Sequence, residues 1–213
     1  MLKKSGLEDS KLMKTPMPSD TKLTKDEECE LVDITKYRGM IGTTHLGLWY
    51  PKGTGIETVV YADSDHVGDY VDRKSTSGIC TFVGCCLASW FSKKQMALAI
   101  STTKAEYVSA RKACQQALWM KQALIDYYIR SGDVPIMCDN DGMIDQSKNP
   151  MQNSRKKHIE IRHHFLWDNV QNRNISIEKV SSKDYIADIL IIPLKRESFN
   201  YLNLGLGMME HIP

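Results

Sequence analysis

A chain of 213 residues with 42% hydrophobic and 25% charged residues has the makeup of a soluble globular protein with one ordinary core plus an appendage. The formal net charge of +2 is too small to imply a nucleic-acid partner by itself, so local clusters of Lys and Arg must carry that argument. Six cysteines (Cys29, Cys80, Cys85, Cys86, Cys114, Cys138) form no C-x-x-C pair or zinc-ribbon spacing, and neither a secretory leader nor a membrane span is legible, so a reduced intracellular protein with no membrane partner is expected.

Residues 1–30 are rich in Lys, Asp, Thr and Pro, with Pro16 and Pro18 interrupting any helical pattern, and read as a linker or surface-hugging arm. Residues 31–42 can form a short helix, but Gly39, Gly42 and Gly47 leave it little room to propagate. The expected division is therefore an extended or disordered arm over 1–47 and a folded domain over 48–213. Residues 58–62, β-branched and aromatic, predict a strand ending at Asp63. Residues 79–83 and 87–91, joined by Gly84-Cys85-Cys86, predict an antiparallel hairpin. The longest helix is predicted over 101–129, from Ala105, Val108, Ala113, Ala117, Met120, Leu124 and Tyr128 at helical spacing, with Gly132 closing it. A short strand over 134–138 ends at Asp139. Helices follow from Asp141 and over 158–171, then a strand over 175–180 and a helix starting near Ser182. This order makes an α/β fold, a mixed sheet flanked by helices.

Asp63 and Asp139 each fall at the C-terminal end of a predicted strand, where open α/β sheets carry their ligand sites. Glu106 falls in the first turns of the long helix and Asp188 in the final one. Four converging carboxylates repel one another, so either they hold protons or cations bind among them. Magnesium suits such an all-oxygen set. Two ions about 3.5 to 4 Å apart can activate a water and stabilise the leaving oxygen in an in-line attack on a phosphodiester, with no side-chain nucleophile. Consistently, the chain has no Ser-His-Asp or Cys-His order, no Gly-rich phosphate loop and no H-E-x-x-H. Each acid alone reads more simply as a turn or helix-cap residue, with a functional prior of about one in five.

As a set, Tyr61-Ala-Asp-Ser-Asp-His-Val-Gly-Asp69, Arg73-Lys-Ser-Thr-Ser-Gly78, Ser89-Trp-Phe-Ser-Lys-Lys-Gln95 and Ala105-Glu-Tyr107 resemble the ribonuclease H region of copia-type retrotransposon Pol polyproteins. Cys138-Asp-Asn140, Lys148-Asn-Pro150, Lys157-His-Ile-Glu-Ile-Arg-His-His-Phe165, Ile186-Ala-Asp-Ile189 and Pro193-Leu194 continue the match in order to the C-terminus. The resemblance implies a ribonuclease H-like five-stranded mixed sheet whose first three strands are antiparallel. It implies Asp63, Glu106, Asp139 and Asp188 as catalytic residues and ligands of two Mg2+ ions, with Mn2+ as an alternative. The implied substrate is the RNA strand of an RNA–DNA hybrid, and the implied context is a larger reverse transcriptase polyprotein, cytoplasmic in a virus-like particle or nuclear. Asp65, two residues beyond Asp63, competes for its role if the strand continues, but the family pattern favours Asp63.

The arm resembles the end of the reverse transcriptase at Gly6-Leu-Glu-Asp-Ser-Lys11, Thr15-Pro-Met-Pro18 and Tyr37-Arg-Gly-Met-Ile-Gly42. The family's long helical connection is missing before Thr43-Thr-His-Leu-Gly-Leu-Trp-Tyr50, and no polymerase site is present, so no DNA synthesis is expected. Lys104 replaces the usual Glu, which removes the capping box of the long helix and puts a cation two residues from Glu106. Ile191-Ile192 replace Thr-Lys, Trp167 and Asn153 replace a basic residue and a His, and the segment before Asp188 lacks the His of cellular ribonucleases H. The alternative reading is therefore a catalytically impaired remnant with residual nucleic-acid binding or no function.

Arg155, Lys156 and Lys157 can track a phosphate backbone, with Asn140 as a further nucleic-acid contact, although such short basic runs are commonly solvated surface. His163 and His164, adjacent on a helix, point in different directions and read as packing or exposure rather than a metal site. Trp90, Trp119 and Tyr107 are assigned to the core in preference to base stacking.

Overall fold

The computed structural model describes residues 46–52, 55–68, 72–96, 98–129, 132–148 and 160–210. Three strands come first after the short β1 (Leu46–Leu48): β2 (Thr58–Ser64), β3 (Thr76–Val83) and β4 (Cys86–Lys94). Helix α1 (Thr102–Asp126) leads to β5 (Val134–Cys138), α2 (Asp141–Lys148), α3 (Glu160–Gln171) and β6 (Ile175–Lys179). Two 3-10 turns (Ser182–Asp184 and Ile186–Leu190), α4 (Arg196–Gly205) and β7 (Met208–Glu210) follow.

The main sheet has the order β4-β3-β2-β5-β6, with β2, β3 and β4 antiparallel and β5 and β6 parallel to β2. This is the mixed five-stranded sheet, its first three strands antiparallel, expected from the sequence. The hairpin closes as expected, since Val83 pairs with Cys86 across Gly84 and Cys85, and Gly84 takes φ +62°, which a Cβ disfavours.

Parallel strands need a crossover, and α1 supplies it between β4 and β5. Its sheet-facing side is made of small residues, Ala105, Ser109, Ala110, Ala113, Cys114 and Ala117, all fully buried, which bring the helix close to the sheet. Val60, Ala62, Ile79, Ile136, Val134, Met143, Leu166 and Ile175 fill the rest of this core. A second, smaller cluster of Cys80, Phe82, Leu87 and Leu206 lies on the other face, against partly buried residues of the second 3-10 turn.

Several expectations change. Helix α1 ends at Asp126, well before Gly132. The Tyr128 N–H donates to the Ile125 carbonyl and the Ile129 N–H to that of Leu124, with Tyr128 at φ +63°, a Schellman closure built on a tyrosine. No α-helix starts near Ser182: 3-10 turns occupy Ser182–Asp184 and Ile186–Leu190, and the next α-helix begins at Arg196. The division at 47/48 falls inside β1, which pairs antiparallel with β7. Trp90 and Trp119 are 54% and 63% exposed, so only Tyr107 of the three aromatics is in the core. Trp90 sits on the edge strand β4, and Trp119 follows the buried Ala117 by two residues, about 200° around the helix. Residues 1–45, including the expected helix over 31–42, and Asn153 lie outside the described residues.

Candidate metal centre

Asp63 is the last residue but one of β2, directly opposite Gly78 of β3. Three groups hold this strand end. Tyr185, fully buried, donates its hydroxyl hydrogen to the Ala62 carbonyl, Ser109 of α1 donates to the Asp63 carbonyl at 2.8 Å, and the Gln95 amide donates to Ser64 Oγ at 3.0 Å. The Asp63 carboxylate in turn accepts the Ser64 N–H at 2.7 Å.

Glu106 enters from α1, one turn beyond the helix cap. At that cap Ser101 Oγ accepts the Lys104 N–H at 3.2 Å, so the forward half of the capping box forms, while the first turn carries no acid to complete it. The Lys104 ammonium lies 5.7 Å from the centre of the Tyr107 ring. Asp139 follows β5 immediately, and Ser182 Oγ lies 3.4 Å from its Oδ2.

Carboxylate oxygens of Asp63, Glu106 and Asp139 lie within 4.8 Å of one another. Asp188, in the second 3-10 turn, is not one of these three, but it lies near enough to Asp63 for the two carboxyls to shift each other's protonation. Thus β2, α1 and the β5 exit bring three of the four predicted acids together, and the 3-10 turn sets Asp188 beside Asp63. Gly78 permits the last of these approaches: a Cβ there would stand 2.9 Å from Ile191 Cγ2, 3.0 Å from Leu190 Cβ and 3.2 Å from the Ala187 carbonyl.

Burial is the main electrostatic cause at this site. It raises the Asp63 carboxyl above the usual range and, helped by the charges of Asp63 and Asp139, pushes Glu106 up to about 9. Asp188 is pushed up to about 8 by burial and by the neighbouring Asp63 carboxyl. Glu106 Oε2 is a buried oxygen without a hydrogen-bond partner among the described residues. An all-oxygen donor set with an orphaned carboxylate oxygen and mutual repulsion suits a hard divalent cation.

Asp65 is excluded from this set by its own bonds. β2 ends at Ser64, and the Asp65 carboxylate turns to accept the Thr76 N–H across the mouth of the hairpin. Asn140 is placed beside the centre, where its Oδ1 accepts the Met143 N–H at 3.0 Å and caps α2. Arg155, Lys156 and Lys157 lie outside the described residues, as do the side chains of His163 and His164. Sequence patterning assigns no independent role to Gln95, Ser109, Tyr185 or Gly78. Gln95, Tyr185 and Gly78 stand in or beside the blocks that carry the resemblance, which is the one signal pointing to them.

No family model matches the chain. Among curated proteins it is 28% identical over 257 aligned positions to the retrovirus-related Pol polyprotein from transposon RE2 of Arabidopsis thaliana, covering 100% of this chain and 18% of that protein. It is 35% identical over 149 residues to the corresponding polyprotein from transposon TNT 1-94 of Nicotiana tabacum, covering 70% of this chain and 11% of the relative. The chain thus spans less than a fifth of the length of these relatives. Since 257 aligned positions face 213 residues here, the Arabidopsis protein holds about forty residues that this chain lacks. Among solved structures, a ribonuclease H1 isolated from compost aligns at TM-score 0.47 and 12% identity, over 68% of this chain and 97% of that one. The N-terminal ribonuclease H domain of a Mycobacterium tuberculosis protein aligns at TM-score 0.47 and 10% identity, over 70% and 98%.

Proposed function

We propose that this chain, which belongs to the retrovirus-related Pol polyproteins of copia-type transposons and folds as a ribonuclease H-like domain, hydrolyses the RNA strand of RNA–DNA hybrids by two-metal catalysis. The observation that carries this reading is the convergence of Asp63, Glu106 and Asp139 within 4.8 Å, with Asp188 beside Asp63. Asp63, Glu106, Asp139 and Asp188 are the residues that would hold the cations. Magnesium, when bound, supplies an activated water and charge stabilisation at the leaving oxygen.

The protein's own part is positional and electrostatic. Asp63, clamped in the sheet, lies beside both Glu106 and Asp188 and so joins the two halves of the ligand set. Glu106 and Asp188 hold protons near neutral pH without a cation and release them as one binds, which makes affinity rise with pH. Hydrolysis opens the P–O3′ bond and leaves 3′-hydroxyl and 5′-phosphate ends. The hybrid is recognised through its wide minor groove and the 2′-hydroxyls of the RNA strand. Arg155, Lys156, Lys157 and Asn140 are candidate contacts to its backbone. In the relatives this domain is one part of a larger polyprotein; among the described residues no helix is long and apolar enough to cross a membrane.

A second reading, a folded remnant with impaired catalysis, is favoured by the internal shortening of about forty residues relative to the Arabidopsis polyprotein. One assay separates the two. Purified protein on an end-labelled RNA–DNA hybrid is expected to cut the RNA strand with Mg2+, and Asp139→Asn to abolish cutting. No magnesium-dependent cutting by the native sequence supports the remnant; equal cutting by the variant overturns the site.

A further inference from the structure

Gln95 lies just beyond the end of β4 and is 1% exposed, a buried amide one layer beneath the carboxylates. Its Nε2 lies 3.0 Å from each of three acceptors: Ser64 Oγ of β2, Ser77 Oγ of β3 and the Ala105 carbonyl of α1. Two of these contacts touch the centre's own supports. The Ser64 N–H donates to the Asp63 carboxylate, and Ala105 is the residue before Glu106. Apart from the Ser109 hydroxyl, which holds the Asp63 carbonyl, strand β2 and helix α1 meet here through small apolar side chains.

We infer that Gln95 is a positioning residue that fixes the spacing of Asp63 and Glu106 for cation binding by tying Ser64 to Ala105. This rests on the reading of the cluster as a divalent-cation site. The Oε1 of Gln95 supports a positional role, because it is buried without a partner among the described residues. An orphaned buried acceptor disfavours folding, so an apolar side chain of similar length serves stability better. What such a side chain does not supply is the link between the strand and the helix.

That contrast makes the test. Mn2+ binding to the metal-free full chain is followed by electron paramagnetic resonance, alongside thermal melting. Gln95→Met is expected to weaken Mn2+ binding about 10- to 100-fold, the range seen when groups that orient metal ligands are removed, while the melting temperature holds or rises. Ser77→Ala, which removes only the β3 contact, is expected to leave Mn2+ affinity within about threefold. Ser64→Ala, which keeps the backbone N–H but loses the Oγ tie, repeats the loss of affinity and serves if the methionine variant fails to fold. Unchanged affinity in both Gln95→Met and Ser64→Ala overturns the inference, as does equal weakening by Ser77→Ala. Asp139→Asn separates the two levels: if it leaves Mn2+ binding intact, the metal reading itself fails, whereas weakening by Asp139→Asn alone removes only the role of Gln95.

Discussion

The four acids divide into an inner and an outer pair that are held in different ways. Asp63 and Glu106, 7% and 4% exposed, sit on the central strand and the crossover helix, and the packing that makes the core also places them. Asp139 and Asp188 are half-buried, on a strand exit and a 3-10 turn, and each depends on a local feature: the Ser182 hydroxyl for one and the bare Cα of Gly78 for the other. The core thus bears a standing electrostatic cost at the inner pair, while the outer pair is adjustable. Charge removal should therefore act on stability at one pair and mainly on binding at the other.

The largest expected effect tests the inner pair. Glu106→Gln should abolish cation binding, by more than about 100-fold, yet stabilise the metal-free protein at pH 7 by about 1 to 3 kcal/mol, because the amide replaces a buried acid that folding forces to keep its proton. Asp139→Asn should lose binding similarly but change metal-free stability by less than about 0.5 kcal/mol. Isothermal titration with Mn2+ and denaturant unfolding of both variants read the contrast, and equal stability changes erase it.

Next comes pH. A carboxyl whose folded pKa is raised binds protons more tightly in the native state, so its stabilising contribution is complete below the unfolded value and is lost as pH rises. With Glu106 near 9 and Asp188 near 8, the metal-free protein should lose stability steadily from about pH 4.5 to about pH 9. Saturating Mg2+ should flatten that slope. Urea midpoints across this range that stay level without metal contradict the assignment.

Gly78→Ala probes the outer pair. The added methyl meets Ile191, Leu190 and the Ala187 carbonyl, so the 3-10 turn must shift, at about 1 to 3 kcal/mol, and carry Asp188 away from Asp63. Mn2+ affinity should fall together with the melting temperature; a melting change without an affinity change places Asp188 outside the binding set.

The smallest effect concerns Lys104. Lys104→Glu completes the capping box and favours the helix dipole, for a gain of about 0.3 to 1 kcal/mol in thermal unfolding. Because its ammonium lies by Tyr107 rather than among the carboxylates, Mn2+ affinity should move by less than about threefold.

What is legible in the sequence follows the same division. Asp63 and Asp139 can be placed because a β-branched or apolar run ends at each, and Glu106 because the small-residue stripe of α1 has helical spacing. Asp188 is readable as a residue of the set only through the family resemblance, since the turns around it have no periodic apolar pattern to mark a 3-10 segment. Asp65 is ambiguous for a related reason: strand length is not written in the alternation, and the chain leaves β2 one residue before it. The tie at Gln95 stays hidden because a buried amide and a surface amide look alike until its three partners, from residues 64, 77 and 105, are brought together by the fold. Helix closure at Tyr128 escapes sequence reading because glycine is the usual residue at a left-handed C-terminal position, and Gly132 stands nearby.

The most direct measurement is a crystal of the chain with Mn2+, read by anomalous scattering. One strong peak is expected bounded by Asp63, Glu106 and Asp139 and a second beside Asp63 and Asp188, about 3.5 to 4 Å from the first. Anomalous peaks only elsewhere on the surface, with the four carboxylates left uncoordinated at saturating Mn2+, contradict it.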